Sequence, residues 1–158
     1  MKLTHLDELG RARMVDVGEK PVSERTAIAE GAVRMSREAF DEVAAQTVAK
    51  GDVLAVAEVA GTMGAKRTGD LIPLCHPLAL DVIQVEARLE PELPGVRVTA
   101  LARVTGKTGV EMEALTAVAV ACLTVYDMVK AIDRGMVIED VRLMSKTGGT
   151  RGDWHREV

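Results

Sequence analysis

A long apolar run in the second half of the chain constrains the fold more than any other feature. Residues 114–126 are thirteen successive positions without a charge, between Glu113 and Asp127. A helix that faced water would need a polar stripe, so the run predicts a helix that is buried around most of its circumference. It is shorter than the roughly 18 to 20 apolar residues that a bilayer-spanning helix needs, and we therefore expect no membrane segment.

Charged residues at the end of this helix form a candidate site. Asp127 and Lys130 are three residues apart, so they share a helix face and can act on one ligand or on each other. We expect both where the helix is still buried, and a buried charge is costly unless it is paired or has a function. The alternatives are a functional site and a structural ion pair at the helix end.

Composition limits the classes of protein and partner. The 158 residues fit one domain, 1–158, with its own core. The net charge is -4 and there are only one Phe, one Tyr and one Trp, which provides neither a basic surface nor stacking rings for nucleic acid. The two cysteines form no disulfide pattern, and the charged first ten residues do not resemble a signal peptide, so we expect a cytoplasmic protein.

The first half of the chain reads as one strand followed by two helices. Residues 23–35 alternate between two faces, which predicts a strand. Ser36 can cap a helix that stops at Gly51. Asp52 can cap a second helix that runs to about residue 65.

The second half adds three strands around the long helix. Alternation starts at residue 80, turns at residues 91–95 and continues over 96–104, which predicts an antiparallel hairpin. After the long helix, Gly135 breaks the pattern and residues 136–144 predict a last strand. The order is that of a two-layer α+β, ferredoxin-like βαββαβ fold with an extra helix and an antiparallel sheet. One sheet face cannot cover an all-apolar helix, so we also expect a partner subunit.

One histidine lies in a restricted apolar loop. His76 stands between two prolines in residues 71–78 (LIPLCHPL). In that setting it can donate to a substrate oxygen or move a proton near neutral pH, and a satisfied core histidine is an equal alternative. Adjacent Cys75 and His76 cannot readily bind one metal, so we expect no metal site.

Two loops combine glycines with cations. They are residues 65–70 and 145–153. Glycines let a backbone approach phosphate closely, and lysine and arginine neutralise it. Each loop alone is more typical of a solvated loop, but their joint occurrence with Lys50, Lys107 and Lys130 indicates a polyphosphate ligand.

A third segment resembles the end of a phosphate-binding P-loop. Gly106, Lys107 and Thr108 have the right types, but Leu101 stands where that motif needs a glycine. The backbone around Gly109 can still receive an anion, although a turn glycine with a solvated lysine is the favoured interpretation.

Helix geometry limits how these parts combine. Glu113 and Asp127 fall on nearly the same helix face, yet fourteen residues separate them by roughly 21 Å. Either the ligand is long, or each site takes opposite ends of this helix from two subunits.

Read together, these motifs resemble the cyclic pyranopterin monophosphate synthase family, molybdenum cofactor biosynthesis protein C, over nearly the whole chain. The motifs are residues 14–17 (MVDV), 66–68 (KRT), 71–78, 105–116 (TGKTGVEMEALT), 126–128 (YDM) and 146–149 (KTGG).

The resemblance implies a lyase without a cofactor. Its substrate would be (8S)-3',8-cyclo-7,8-dihydroguanosine 5'-triphosphate, a cyclised GTP derivative. The products would be cyclic pyranopterin monophosphate and pyrophosphate. The family forms homohexamers, trimers of dimers, with sites at the dimer interface. The alternatives are a non-catalytic purine nucleotide-binding oligomer and a purely structural oligomer.

The resemblance also implies residue roles. Asp127, Lys130, Lys50 and His76 would be catalytic. A lysine crowded by other cations would have a lowered pKa and shuttle protons. Arg151 would replace a lysine that is familiar in the family's C-terminal loop. The residues implied to contact substrate are Leu74, Cys75, His76, Met112, Glu113, Lys66, Arg67, Lys146, Arg25 and Glu111.

Overall fold

One antiparallel sheet of five strands forms the frame of the described chain, which in this computed structural model comprises residues 5–157. In chain order the elements are β1 (Ser23–Arg34), α1 (Arg37–Ala44), α2 (Val53–Lys66), α3 (Thr68–Leu71), β2 (Val82–Glu90), β3 (Gly95–Gly106), α4 (Glu111–Val129), β4 (Val137–Thr147) and β5 (Trp154–His155). The strand order is β2-β3-β1-β4-β5, with β1 antiparallel to both β3 and β4. This confirms the predicted ferredoxin-like α+β fold.

The alternation in β1 separates the two faces of the sheet as predicted. Ala27, Ala29 and Val33 are buried beneath the helices. Gly31 lies directly under α4, where any side chain would collide with Val118. The small residues of β1 therefore let the long helix lie close to the central strand.

The long helix is a core helix, but its length differs from the prediction. α4 has 19 residues, and by length and composition it is long and apolar enough to cross a membrane. The expectation that it is too short was wrong, because helical residues with charges extend the apolar run at both ends. Its packing decides its role: 56% of its most apolar window is buried, against β1, β3, β4 and α2.

Glycines bring α2 and α4 together. A side chain at Gly61 would collide with the Ala117 carbonyl, and one at Gly64 would collide with Val120. Such close contact between two helices requires small residues at the crossing. The crossing fixes α2 beside α4 on one side of the sheet.

The two predicted helix caps are confirmed. The Ser36 hydroxyl accepts from the Ala39 amide at 3.2 Å, and the Asp52 carboxylate accepts from the Ala55 amide at 3.0 Å. Each side chain satisfies an amide that the first turn leaves without a partner. The beginning of both helices is therefore set by local sequence.

The end of α1 was predicted wrongly. The helix stops at Ala44, which is exposed, and not at Gly51. Gln46 takes the left-handed conformation, with φ of 57°, that glycine usually takes after a helix. Gly51 has φ of 100° and forms the turn before α2 instead. The remaining differences are at other ends: β2 begins two residues later than predicted, β4 continues to Thr147, and neither α3 nor β5 was predicted.

Candidate functional site

A cleft of about 370 Å³ opens at the N-terminal end of α4. The fold brings its walls together because β4 runs antiparallel to β1, with Lys146 opposite Ala27, and β3 ends beside the start of β1. A short loop then leads from β3 into α4. Eight of the predicted substrate residues line the cleft, namely Arg25, Leu74, Cys75, His76, Glu111, Met112, Glu113 and Lys146.

Glu113 is the buried acid of this cleft. It is only 4% exposed although it lines the wall. The pKa of Glu113 is raised to about 6: burial is the main cause, a backbone hydrogen bond opposes it, and the negative charge of Glu111 adds to the increase. Glu113 therefore exchanges a proton near neutral pH, as a general acid or base requires.

The loop after α3 supplies a thiol and an imidazole to the same wall. Burial raises the pKa of the Cys75 thiol, and the charges of Glu113 and Glu111 add to the effect. The thiol therefore stays neutral and is a poor nucleophile. His76 is half-buried on the cleft wall, so the alternative of a core histidine was wrong.

Cations also line the cleft. Lys146 pairs with Glu111 at 2.9 Å. Arg25 is 9% exposed and donates from Nε to the Gly106 carbonyl at 3.1 Å. Gly149 lies against the Arg25 guanidinium so closely that a side chain there would collide with it. The glycines of the KTGG motif therefore position a buried arginine, and Arg151 of the same loop also lines the cleft.

Asp127 lies at the other end of α4 in an exposed ion-pair cluster. Its carboxylate is 2.8 Å from Lys130 Nζ and 2.7 Å from Lys50 Nζ, and Lys50 also donates to the Asp127 carbonyl at 2.9 Å. The Asp127 side chain is 57% exposed, so the expectation of a buried pair was wrong for the single chain. Within the described chain, the last turn of α4 leaves this face open to solvent.

The charges of this cluster stabilise one another. Hydrogen bonds from Lys130 and then from Lys50 lower the pKa of Asp127 to about 2. The hydrogen bond to Asp127 raises the pKa of Lys130. Lys130 therefore does not have the lowered pKa that a proton-shuttling lysine would need, and the sequence did not indicate which lysine has that role.

The structure does not bring all predicted residues into one pocket. Asp127, Lys130 and Lys50 lie outside the cleft, and Asp127 is roughly 21 Å along α4 from Glu113. Lys66 borders a separate cavity at the start of β2, and Arg67 lies outside the cleft.

Sequence reasoning gave no site role to the N-terminal segment. Its residues Val15, Val17 and Lys20 line the cleft, as does His5. The only signal was the MVDV motif at residues 14–17, which gives no spatial information by itself.

Fold and cleft together define a class: a ferredoxin-like α+β protein with a candidate small-molecule site, a cleft that combines a buried acid, a histidine and cations. A sequence profile of the MoaC family matches residues 14–149, and the chain belongs to this family. A protein of Brucella ovis named cyclic pyranopterin monophosphate synthase is 58% identical over 153 residues, which are 97% of this chain and 93% of that protein. A Cereibacter sphaeroides protein of the same name is 60% identical over 150 residues, 95% of this chain and 94% of its own length.

Replacement of Glu113 tests its burial. A carboxyl whose pKa is raised by folding destabilises the folded protein when it is ionised. This loss of unfolding free energy is absent below about pH 4.5, the usual pKa, and complete above pH 6. We compare the unfolding free energy of Glu113→Gln with that of wild type. As the pH rises from 4 to 8, we expect the difference to change by about 2 kcal/mol in favour of the variant. Urea unfolding at both pH values measures the difference, with exposed Glu86→Gln as the control. An equal difference at both pH values would contradict the buried acid.

Alanine substitutions at two glycines with similar backbone conformation distinguish displacement of Arg25 from backbone strain in the loop. Gly149 and Gly152 have φ of 84° and 74°, but a side chain at Gly152 meets no atom within 4 Å. We expect Gly149→Ala to displace Arg25 and to weaken binding of inorganic triphosphate about tenfold, the cost of roughly one charged hydrogen bond. Titration calorimetry on both variants measures this. Equal losses in Gly149→Ala and Gly152→Ala would show that strain alone is responsible.

Proposed function

We propose that this protein is a lyase that converts (8S)-3',8-cyclo-7,8-dihydroguanosine 5'-triphosphate to cyclic pyranopterin monophosphate and pyrophosphate, an early step of molybdenum cofactor biosynthesis. The observation that carries the proposal is the 58% to 60% identity, over more than nine-tenths of both chains, to proteins named cyclic pyranopterin monophosphate synthase. The motif residues that line the cleft support it.

The cations of the cleft suit a triphosphate. Arg25 and Lys146 come from neighbouring strands, and Lys20 and Arg151 reach the cleft from the two terminal segments. Arginine binds phosphate oxygens through two parallel hydrogen bonds, and lysine adds a point charge. Bound in this way, the pyrophosphate leaving group would be stabilised as its negative charge develops.

The acids and the histidine suit the proton transfers. Opening the imidazole ring requires protonation of a leaving nitrogen, and closing the cyclic phosphate requires a hydroxyl to lose its proton as pyrophosphate departs. Glu113, with a pKa of about 6, and His76 both line the cleft, which supports a role for them in these transfers. Asp127 accepts a proton only when a ligand draws Lys130 or Lys50 away, because the two ammoniums hold its pKa at about 2 in the free chain.

We propose that the complete site forms between two subunits of a homohexamer, a trimer of dimers. The cluster of Asp127, Lys130 and Lys50 in one subunit would then complete the cleft of its partner. Exposed apolar side chains on α2 and α4 support a surface that a second subunit covers. They are Val59 and Met63 on α2 and Leu123 on α4.

Two expectations about domain organisation and cellular location accompany this proposal. The whole chain, 1–158, would form a single domain, of which residues 1–4 and 158 lie outside the described part. The enzyme would act in the cytoplasm, with α4 as its core helix and without nucleic acid, membrane or cofactor.

Turnover of the purified protein tests the proposed function. We expect pyrophosphate and cyclic pyranopterin monophosphate to form from the cyclised GTP derivative, and Asp127→Asn and Lys130→Ala to lower kcat at least about 100-fold, the usual contribution of proton transfer by a side chain. Arg88 is exposed on β2, and Arg88→Ala is the control for the loss of a positive charge as such. Tight substrate binding without any pyrophosphate release would refute the lyase and favour a nucleotide-binding oligomer.

A further inference from the structure

A side chain from a distant part of the sequence is hydrogen-bonded to the N-terminal wall of the cleft. Lys107 donates from Nζ to the Gly18 carbonyl at 2.6 Å, although the two residues are 89 positions apart. The sequence alone favoured a solvated lysine at this position, and that interpretation was wrong. Lys107 belongs to the loop between β3 and α4, directly before the acids of the cleft.

The segment that Lys107 holds is a compact turn. The Asp16 carboxylate accepts from the Gly18 amide at 2.8 Å, and the Lys20 amide donates to the Val17 carbonyl at 3.1 Å. These two hydrogen bonds lie within the turn and give it a defined shape, but they do not attach it to the cleft. The bond from Lys107 to Gly18 makes that connection.

The turn contributes three groups to the site. Val15 and Val17 form part of its apolar wall, and Lys20 adds a cation. Lys107 does not line the cleft itself. An effect of Lys107 on a ligand in the cleft therefore passes through the turn, through the loop on which it stands, or through the attraction of its charge over several ångströms.

We propose that Lys107 is a positioning residue for the reaction, because it fixes the turn at residues 15–20 against the β3–α4 loop and so keeps Lys20 at the cleft. The nature of the ligand rests on the proposed function. A charge-assisted hydrogen bond that is formed before the ligand arrives lowers the ordering cost of binding. Loss of the bond acts on ligand affinity, whereas the acids that transfer protons keep their places.

Kinetics and hydrogen exchange of four proteins test this role. We expect Lys107→Met to raise KM about tenfold, with kcat within about twofold of wild type, and to speed amide exchange at residues 14–20. Lys107→Arg retains a cationic donor, so its KM and its amide exchange at residues 14–20 should be close to those of wild type. The matched control is Arg11→Ala, which removes a cation from the same N-terminal segment, where Arg11 pairs with Asp7 at 2.8 Å. Arg11→Ala should change neither the KM nor the amide exchange at residues 14–20.

The outcomes separate positioning from other roles. Wild-type KM and wild-type exchange in Lys107→Met would overturn the proposal. A fall in kcat alone, or the same KM change in Arg11→Ala, would also overturn it, because the effect would then come from catalysis or from overall charge. If the wild-type protein showed no turnover, the proposed function would fail, and exchange at residues 14–20 would still decide whether Lys107 holds the turn.

Discussion

The burial of α4 is the constraint on which the rest of the structure depends. Ala117, Val118 and Ala121 are fully buried between the sheet and α2. An unpaired charge among them would cost several kcal/mol, a large part of the stability of a small domain. Charged groups are therefore confined to the two ends of the helix, about 21 Å apart in one chain. The helix is at once the core of the fold and the spacer between two groups of polar residues.

The two ends of α4 have opposite electrostatic character. At its N-terminus, burial makes Glu113 a group that gains and loses a proton near neutral pH. At its C-terminus, Lys130 and Lys50 keep the exposed carboxylate of Asp127 ionised. Acids near the start of a helix and a cation near its end also suit the helix dipole. The cleft of one chain thus holds a proton carrier, but it lacks the carboxylate that two lysines keep ionised at the other end of the helix.

Local patterns predicted the fold well because they act over a few residues. The caps at Ser36 and Asp52 depend on one side chain and an amide three positions away. The left-handed turn at Gln46 was not predictable, because that residue type rarely adopts it. The exposure of Asp127 was predicted wrongly because it depends on what lies over the last turn of the helix. The bond between Lys107 and Gly18 joins distant segments, and no periodicity or cap in the sequence indicates it.

Mixing two variants, each of which we expect to be inactive alone, tests most directly whether one site takes groups from two copies of the chain. Asp127→Asn removes the carboxylate of one helix end, and Glu113→Gln removes that of the other. When the two variants are co-expressed in equal amounts, half of the proposed dimers would be mixed, and each mixed dimer would hold one site with both carboxylates intact. The account predicts that activity returns to about a quarter of the wild-type value. Activity that remains at the level of the separate variants would contradict it.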